Sequence, residues 1–214
     1  MNYYKRWRAV VLAAGLWGCD SPAPEQVAAD FFPVETGLVR EFEVSETRYS
    51  VTEEPRKSTW YLREVIGETL GEVNGFAVHR LERYRKEHTG DAWKIDSVWA
   101  IYRQPDKVVQ VENNTPYIKL LLPSSDGMSW NGNALNTLSA QTYRMRISAD
   151  GQAEVVQLAD SSLVHLNKSI ERYRADEGLI YKELRVYSYC QSTPDCIGKN
   201  IITSGRDLVY RALP

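Results

Sequence analysis

Trp60-Tyr61-Leu62-Arg63-Glu64-Val65-Ile66, then Val73-Asn74-Gly75-Phe76, then Val78-His79-Arg80-Leu81-Glu82-Arg83-Tyr84: this stretch decides the fold. Trp60, Leu62 and Ile66 fall on one face of an extended chain and Arg63 on the other, the period of a strand with one buried side. Asn74-Gly75 is the dipeptide of a type I′ turn, in which both central residues need positive φ. The stretch predicts a hairpin, Thr59–Leu70 against Phe76–Glu87.

Outward from this hairpin, short alternating runs continue in both directions. They predict strands over Leu38–Val51, Trp93–Arg103, Lys107–Glu112, Tyr117–Leu122, Gln141–Ser148, Glu154–Ala159, Leu163–Tyr173, Leu179–Tyr189 and Leu208–Leu213. Turn residues separate them: Glu54-Pro55, Thr89-Gly90-Asp91, Gln104-Pro105-Asp106, Ser124-Ser125-Asp126-Gly127 and Asp150-Gly151, the last read as a second type I′ turn. Helical spacing occurs only over Pro24–Phe32 and, in competition with a strand, over Val156–Leu166. The expected class is all-β, an antiparallel meander forming a curved sheet or open barrel. Thirteen Tyr and six Trp suit such half-buried pleated surfaces.

The start of the chain gives an address. Residues 1–8 carry Lys5, Arg6 and Arg8, Ala9–Trp17 is uncharged, and Leu16-Trp17-Gly18-Cys19 follows. The uncharged run is too short to span a bilayer and has the layout of an export signal. Its end resembles the lipobox of bacterial lipoproteins, with Trp17 in place of the usual small residue. That resemblance implies cleavage before Cys19, a diacylglycerol on its thiol and N-acylation, the several chains that firm anchoring takes. The expected organisation is a signal peptide at 1–18, lipidated Cys19 with a Pro-containing flexible tether over 19–30, and a strand-rich domain over 31–214. The expected place is the cell envelope, anchored to the outer or inner membrane with the domain outside the cytoplasm. Without Lys5, Arg6 and Arg8 the 26 basic residues fall to 23 against 28 acidic ones, a net of −5, which argues against a nucleic-acid partner.

Three segments place an apolar residue directly after a Gly that opens an extended run: Phe32-Pro33-Val34-Glu35-Thr36-Gly37-Leu38, Leu122-Pro123-Ser124-Ser125-Asp126-Gly127-Met128 and Asp176-Glu177-Gly178-Leu179. They read either as a duplicated half-domain or, the simpler expectation, as one turn chemistry used repeatedly.

Phe31-Phe32-Pro33-Val34-Glu35-Thr36-Gly37, Trp130-Asn131-Gly132-Asn133 with Asn136 and Tyr143, and Gly178-Leu179-Ile180-Tyr181-Lys182-Glu183 together resemble an uncharacterised lipoprotein family common in Bacteroidetes. The family's usual Trp after the first Gly is replaced here by Leu38, Val39 and Arg40. The resemblance implies an envelope location and an all-β fold and supplies no activity.

With Cys19 lipidated, Cys190 and Cys196 remain, flanking Gln191-Ser192-Thr193-Pro194-Asp195. Two cysteines across a turn in an oxidising compartment predict a disulfide. His79, His88 and His165 are scattered without metal-site or nucleophile-elbow spacing, so neither a metal, a cofactor nor an enzyme activity is expected. Arg83 and Arg85 share one strand face, and Arg80, Glu82, Tyr84 and Lys86 the other. They read as a solvated strand, with an anion or headgroup patch as the alternative. Trp60, Trp93, Trp99 and Trp130 read as core, or as the lining of an apolar cavity. Trp130, Asn131 and Asn133 form the most unusual loop and are the candidate ligand-binding residues. Two functions remain: a non-enzymatic binding or carrier module for an apolar or amphiphilic ligand, or an interaction or scaffold subunit of an envelope protein assembly.

Overall fold

The structure, a computed structural model, describes residues 29–214. The expected signal peptide, Cys19, the tether up to residue 28 and most of the Pro24–Phe32 helix lie outside the described residues; residues 29–32 are not helical.

Twelve strands follow in order: β1 (Val39–Tyr49), β2 (Arg56–Val73), β3 (Phe76–Lys86), β4 (Lys94–Gln104), β5 (Lys107–Glu112), β6 (Thr115–Leu121), β7 (Ser129–Asn131), β8 (Thr142–Ile147), β9 (Ala153–Ser161), β10 (His165–Arg174), β11 (Gly178–Tyr189) and β12 (Ile202–Ala212). All pairings are antiparallel, and the sheet order is β6-β5-β4-β3-β2-β1-β12-β11-β10-β9-β8-β7. Each half of the chain is thus a six-strand meander, and β1 joins β12 to fuse the halves. The two outer strands then approach one another. The Ile118 N–H donates to the Gly132 carbonyl at 3.0 Å, and the Trp130 indole N–H donates to the Ile118 carbonyl at 2.9 Å. The result is a nearly closed barrel, which removes the exposed edges an open sheet would leave.

The halves enter their first strands alike. Gly37 N–H donates to Ile66 O, and Ile66 N–H to Leu38 O. Gly127 N–H donates to Met145 O, and Met145 N–H to Met128 O. Both glycines have positive φ, 91° and 77°. The first two of the three similar segments therefore occupy equivalent places, before β1 and before β7, which favours a duplicated half-domain over repeated turn chemistry. The third lies inside the β10–β11 hairpin.

Local chemistry explains most elements and corrects some expectations. Asn74 and Gly75 both have positive φ (52° and 81°), as a type I′ turn requires. At Asp150-Gly151 only Gly151 has it (77°), and Ser148 N–H reaches Gln152 O. This is a three-residue loop with a left-handed Gly at its end rather than a type I′ turn. The second pair of left-handed residues is Asn113-Asn114 (48° and 65°), joining β5 to β6 without a glycine. Val156–Leu166 is not helical: β9 runs to Ser161. β12 begins at Ile202, ahead of the expected Leu208, and β7 was not expected at all.

The inner face is layered. Cross-strand register sets Phe42 against Leu62 and Val44 against Trp60, and, one pleat lower, Arg40 against Glu64. Phe42, Val44, Trp60, Leu62, Leu208 and Tyr210 form one apolar cluster. A larger one includes Ile66, Leu81, Ile101, Val108, Leu120 and Met145, with Phe31 and Phe32 from the entry segment. Buried charges lie between. The outer wall carries ion pairs such as Arg63–Glu41 at 2.6 Å and Arg172–Glu154 at 2.8 Å. Charges there suit water: Arg or Lys on the lipid face of a membrane barrel costs about 2–4 kcal/mol at the bilayer midplane.

Strand direction gives the barrel two ends. The entry segment and the turns at 74–75, 105–106 and 175–177 share one, here called proximal. The loops at 50–55, 87–93, 132–141, 162–164 and 190–201 share the other, the distal end.

Candidate functional site

The Trp130-Asn131-Gly132-Asn133 loop, the candidate ligand site, is used in closing the barrel. Trp130 is buried, edge-on to Tyr143 with ring centroids 5.9 Å apart. A side chain at position 132 would land inside the Tyr143 ring, so glycine is required there. Asn131 Oδ1 accepts from the backbone N–H groups of Asn133 and Gln141 (3.0 and 2.9 Å). Asn133 Nδ2 donates to Ser139 O at 2.6 Å, and Asn136 Nδ2 to Pro116 O at 2.7 Å. The Asn136 bond crosses the seam to β6, and the Asn131 and Asn133 bonds brace the loop that carries it.

The pairing of Cys190 with Cys196 is present, with Cα atoms 5.6 Å apart. It braces the β11–β12 loop, which is also held by Cys190 N–H donating to Ile201 O at 2.8 Å. The cross-link closes a short loop, so it contributes about 2 kcal/mol in the loop-entropy treatment. The Cys190→Ser, Cys196→Ser double variant is therefore expected to keep the fold, while amide exchange speeds up between residues 191 and 200. Exchange mass spectrometry reads this directly, and global unfolding of the double variant would contradict it.

The belt of buried charge is what the sequence reading missed. Arg83, expected on a solvated strand, points into the lumen. It pairs with Glu64 (3.0 Å) and stacks 3.8 Å from the centre of the Trp99 ring. Burial works against the Arg83 charge, but Glu64 and Tyr210 outweigh it and its pKa rises. Lys119 and Lys182 both reach Glu171, at 2.8 and 3.0 Å. Gln157 and Tyr173 also donate to Glu171. Burial alone would push the Glu171 carboxyl up, but the two lysines dominate and bring it down to about 2. Burial also opposes the charge on Lys182, yet Glu171 and Glu112 raise its pKa.

Arg40 is different. It is 8% exposed, and its charge lies over the Phe32 ring at 5.2 Å. Glu64, opposite it in register, is engaged by Arg83, and burial holds the Arg40 pKa below the ordinary range. Between Arg40, Arg83, Trp99, Lys119 and Lys182 is a cavity of about 20 Å³. That admits one small occupant. The larger hollows are surface grooves of about 390 Å³ beside Arg85 and Asp96, and about 660 Å³ beside Asp126 and Arg172, both rich in charge.

The tryptophans divide. Trp60, Trp99 and Trp130 face inward, whereas Trp93 lies on the wall under Arg63 and Lys86, each 4.5 Å from its ring centre. The histidines stay apart. His79 Nδ1 meets Thr36 Oγ1 at 3.3 Å, and His88 lies in the β3–β4 loop. His165 has Asp160 at 2.8 Å on Nε2 and Ser162 Oγ at 3.0 Å on Nδ1. That trio has the residue types of a hydrolase triad. However, Ser162 Oγ accepts from the backbone N–H groups of Val164 and His165, both at 3.2 Å. Its lone pairs are turned into its own loop, the geometry of a capped turn. Among the described residues no cluster of His, Cys, Asp and Glu is arranged to hold a metal.

The distal end carries an apolar surface. Leu163 and Val164 (66% and 40% exposed) lie in the β9–β10 loop, and Ile197 and Ile201 (52% and 49%) in the disulfide-braced loop. Tyr189 N–H donates to Val164 O, and Cys190 N–H to Ile201 O, so the two loops abut. Tyr49, Tyr187 and Tyr189 pack just below on the wall, Tyr49 edge-on to Tyr187 at 5.5 Å and Tyr187 tilted against Tyr189 at 6.5 Å between centroids. Leu135 and Leu138 in the 132–141 loop are exposed at the same end. Neither a protein family, nor a curated protein, nor a solved structure matches this chain.

Proposed function

We propose that this protein is a lipid-tethered module of the cell envelope that works by binding another envelope protein through the distal end of its barrel. The observation that carries this reading is the apolar and tyrosine-rich surface of Leu163, Val164, Ile197, Ile201 and Tyr189, at the end opposite the tether. Aromatic and aliphatic side chains on a braced scaffold are the composition of an interface core. Position supports it as well. A strand of 11 residues, as in β1, spans roughly 35 Å, which holds the surface well clear of a membrane that grips Cys19.

The carrier reading needs a different interior. Pockets for lipid-sized or drug-sized ligands run to about 300–1,000 Å³ and are mostly apolar. The lumen cavity is about 20 Å³ and ringed by charge. The filled lumen therefore favours the interaction reading of the two.

Site-specific photo-cross-linking in cells tests it. A photoreactive residue at Ile197 or Ile201 is expected to give one discrete protein adduct, which a Leu163→Asp substitution abolishes. The same probe at Arg211, exposed near the proximal end of the wall, is expected to give none. Adducts that are absent at the distal end, or equal at both ends, would overturn the proposal.

A further inference from the structure

The barrel closes at β6 and β7, yet one edge stays open inside the sheet. β8 has six residues and β9 nine. The β8–β9 pairing ends with Arg144 against Val156, whereas the β9–β10 pairing continues to Ser161 against Leu166. Residues 157–161 are thus paired on one side only, at the distal end. The bond from Ser162 N–H to His165 O (2.9 Å) fixes the phase of this segment. Backbone groups of Asp160, like those of Ser162, turn towards β10, and those of Ala159 and Ser161 turn away from it. No hydrogen bond from β8 or the 132–141 loop reaches Ala159 or Ser161 among the described residues. Both residues are exposed, and the segment has neither proline nor lysine, the usual guards of a sheet edge. Its one charged residue, Asp160, is held by His165 at 2.8 Å.

A hollow of about 170 Å³ lies beside this edge, lined by Val156, Ala159, Leu166 and Ile170. Val156 and Ile170 are paired in register and in phase with the Arg172–Glu154 pair of the outer wall. Further up, the long Lys168 and Leu166 stand against the small Ala159 and Ser161, which leaves the space. An apolar cavity of roughly 150 Å³ accepts a benzene ring, so the hollow takes one bulky apolar side chain. Leu163 and Val164 carry the apolar surface on to the distal rim.

We infer that the distal edge of β9 receives an extended segment of the partner protein as an added strand, with one bulky apolar side chain of that segment in the hollow. This rests on the proposed reading of the distal end as a protein-binding surface and names the form the partner takes there. A row of open N–H and C=O groups selects another extended backbone, and the adjoining hollow selects its side chain. A helix spends its backbone groups internally, and the acyl region of a bilayer has none to offer. A second copy of this chain is a poor occupant. Antiparallel pairing of two β9 edges inverts one barrel, so its tether starts at the end away from the membrane that holds the other.

The test uses the full chain in cells, with the photoreactive residue at Ile201 as the readout of partner binding. Ala159→Pro removes an N–H that faces the open side and spares the β9–β10 ladder, a place in a sheet where proline is tolerated. It is expected to cut the adduct several-fold, while Ala159→Ser, which keeps the N–H, leaves it unchanged. Should Ala159→Pro fail to fold, Ala159→Lys guards the edge and charges the hollow without altering the backbone, and is expected to lower the adduct likewise. Hydrogen exchange on the purified adduct reads strand addition itself. The amides of Ala159 and Ser161, fast in the free chain, are expected to slow several-fold once paired. Absence of any adduct from the unmodified chain would overturn the distal surface and this inference with it. An adduct that survives Ala159→Pro, or amides that stay fast within it, would overturn strand addition alone. An adduct made of two copies of the chain would overturn the assignment to a partner protein.

Discussion

Replacing Glu171 with leucine is expected to destabilise the barrel by about 3–5 kcal/mol, the usual consequence of removing one partner from a buried ion pair. Glu171 is 1% exposed and is the shared acceptor of Lys119, Lys182, Gln157 and Tyr173. Without it two ammonium groups stay in the lumen facing each other. For a domain of this size the loss lowers the thermal midpoint by roughly 6–20 °C. Glu171→Gln keeps the shape and loses the charge, so it is expected to fall between wild type and Glu171→Leu. The same residue gives the stability an acid limb. Its carboxyl is at about 2 in the folded chain against an ordinary 4.5, so between those values the unfolded chain binds the extra proton. Stability from this group is complete above about pH 4.5 and is lost as pH falls towards 2. Denaturant unfolding at pH 7 and pH 3, on wild type and Glu171→Leu, checks both statements. The gap between the two proteins should narrow at the lower pH, and a gap that widens would contradict the assignment.

Phe32→Ala is expected to cost about 3–5 kcal/mol, as large aromatic truncations in packed cores do. Phe32 is 3% exposed, packs 5.5 Å from the Tyr173 ring and lies against the Arg40 guanidinium. The segment that presents it is tied down by Arg103, which donates to Asp30 Oδ1 (2.6 Å) and Phe32 O (3.2 Å), and by Asp176 N–H on Asp30 O (2.8 Å). Truncation opens the proximal end of the lumen and removes the ring that partners Arg40, so solvent should reach the charged belt. Calorimetry measures the first effect, and faster exchange of the β1 and β11 amides reports the second. A loss below about 1 kcal/mol would mean that the entry segment does not plug the barrel.

The parts of the fold legible in sequence are those fixed by local chemistry. The alternation around Asn74-Gly75 located β2 and β3, and two cysteines across a Pro-containing loop located the disulfide. Asn113-Asn114 makes the same kind of turn as Asn74-Gly75 but lacks the glycine that advertises it. β7 has only three residues, and cross-seam bonds from the 130–136 loop to β6 put it in place, a non-local cause that no window of sequence contains. The unusual composition of the Trp130 loop has a packing reason of its own, because Gly132 makes room for the Tyr143 ring.

The charged lumen escaped for a different reason. Alternation was read as apolar inside and charged outside, whereas a barrel of twelve strands is wide enough for long charged side chains to fill its centre. A signal was nevertheless available in the phase. Arg40 is in step with Phe42 and Val44, Glu64 with Leu62 and Ile66, and Arg83 with Leu81. A charge in phase with the apolar set on three consecutive strands marks a polar layer within the core.

The proposal that a filled lumen leaves binding to the outer surface is tested most directly by native mass spectrometry of the chain released gently from detergent. The expected result is the mass of the acylated polypeptide beginning at Cys19, with no stoichiometric amphiphile held non-covalently. One lipid or other amphiphilic molecule bound per chain, surviving release and lost on unfolding, would contradict it.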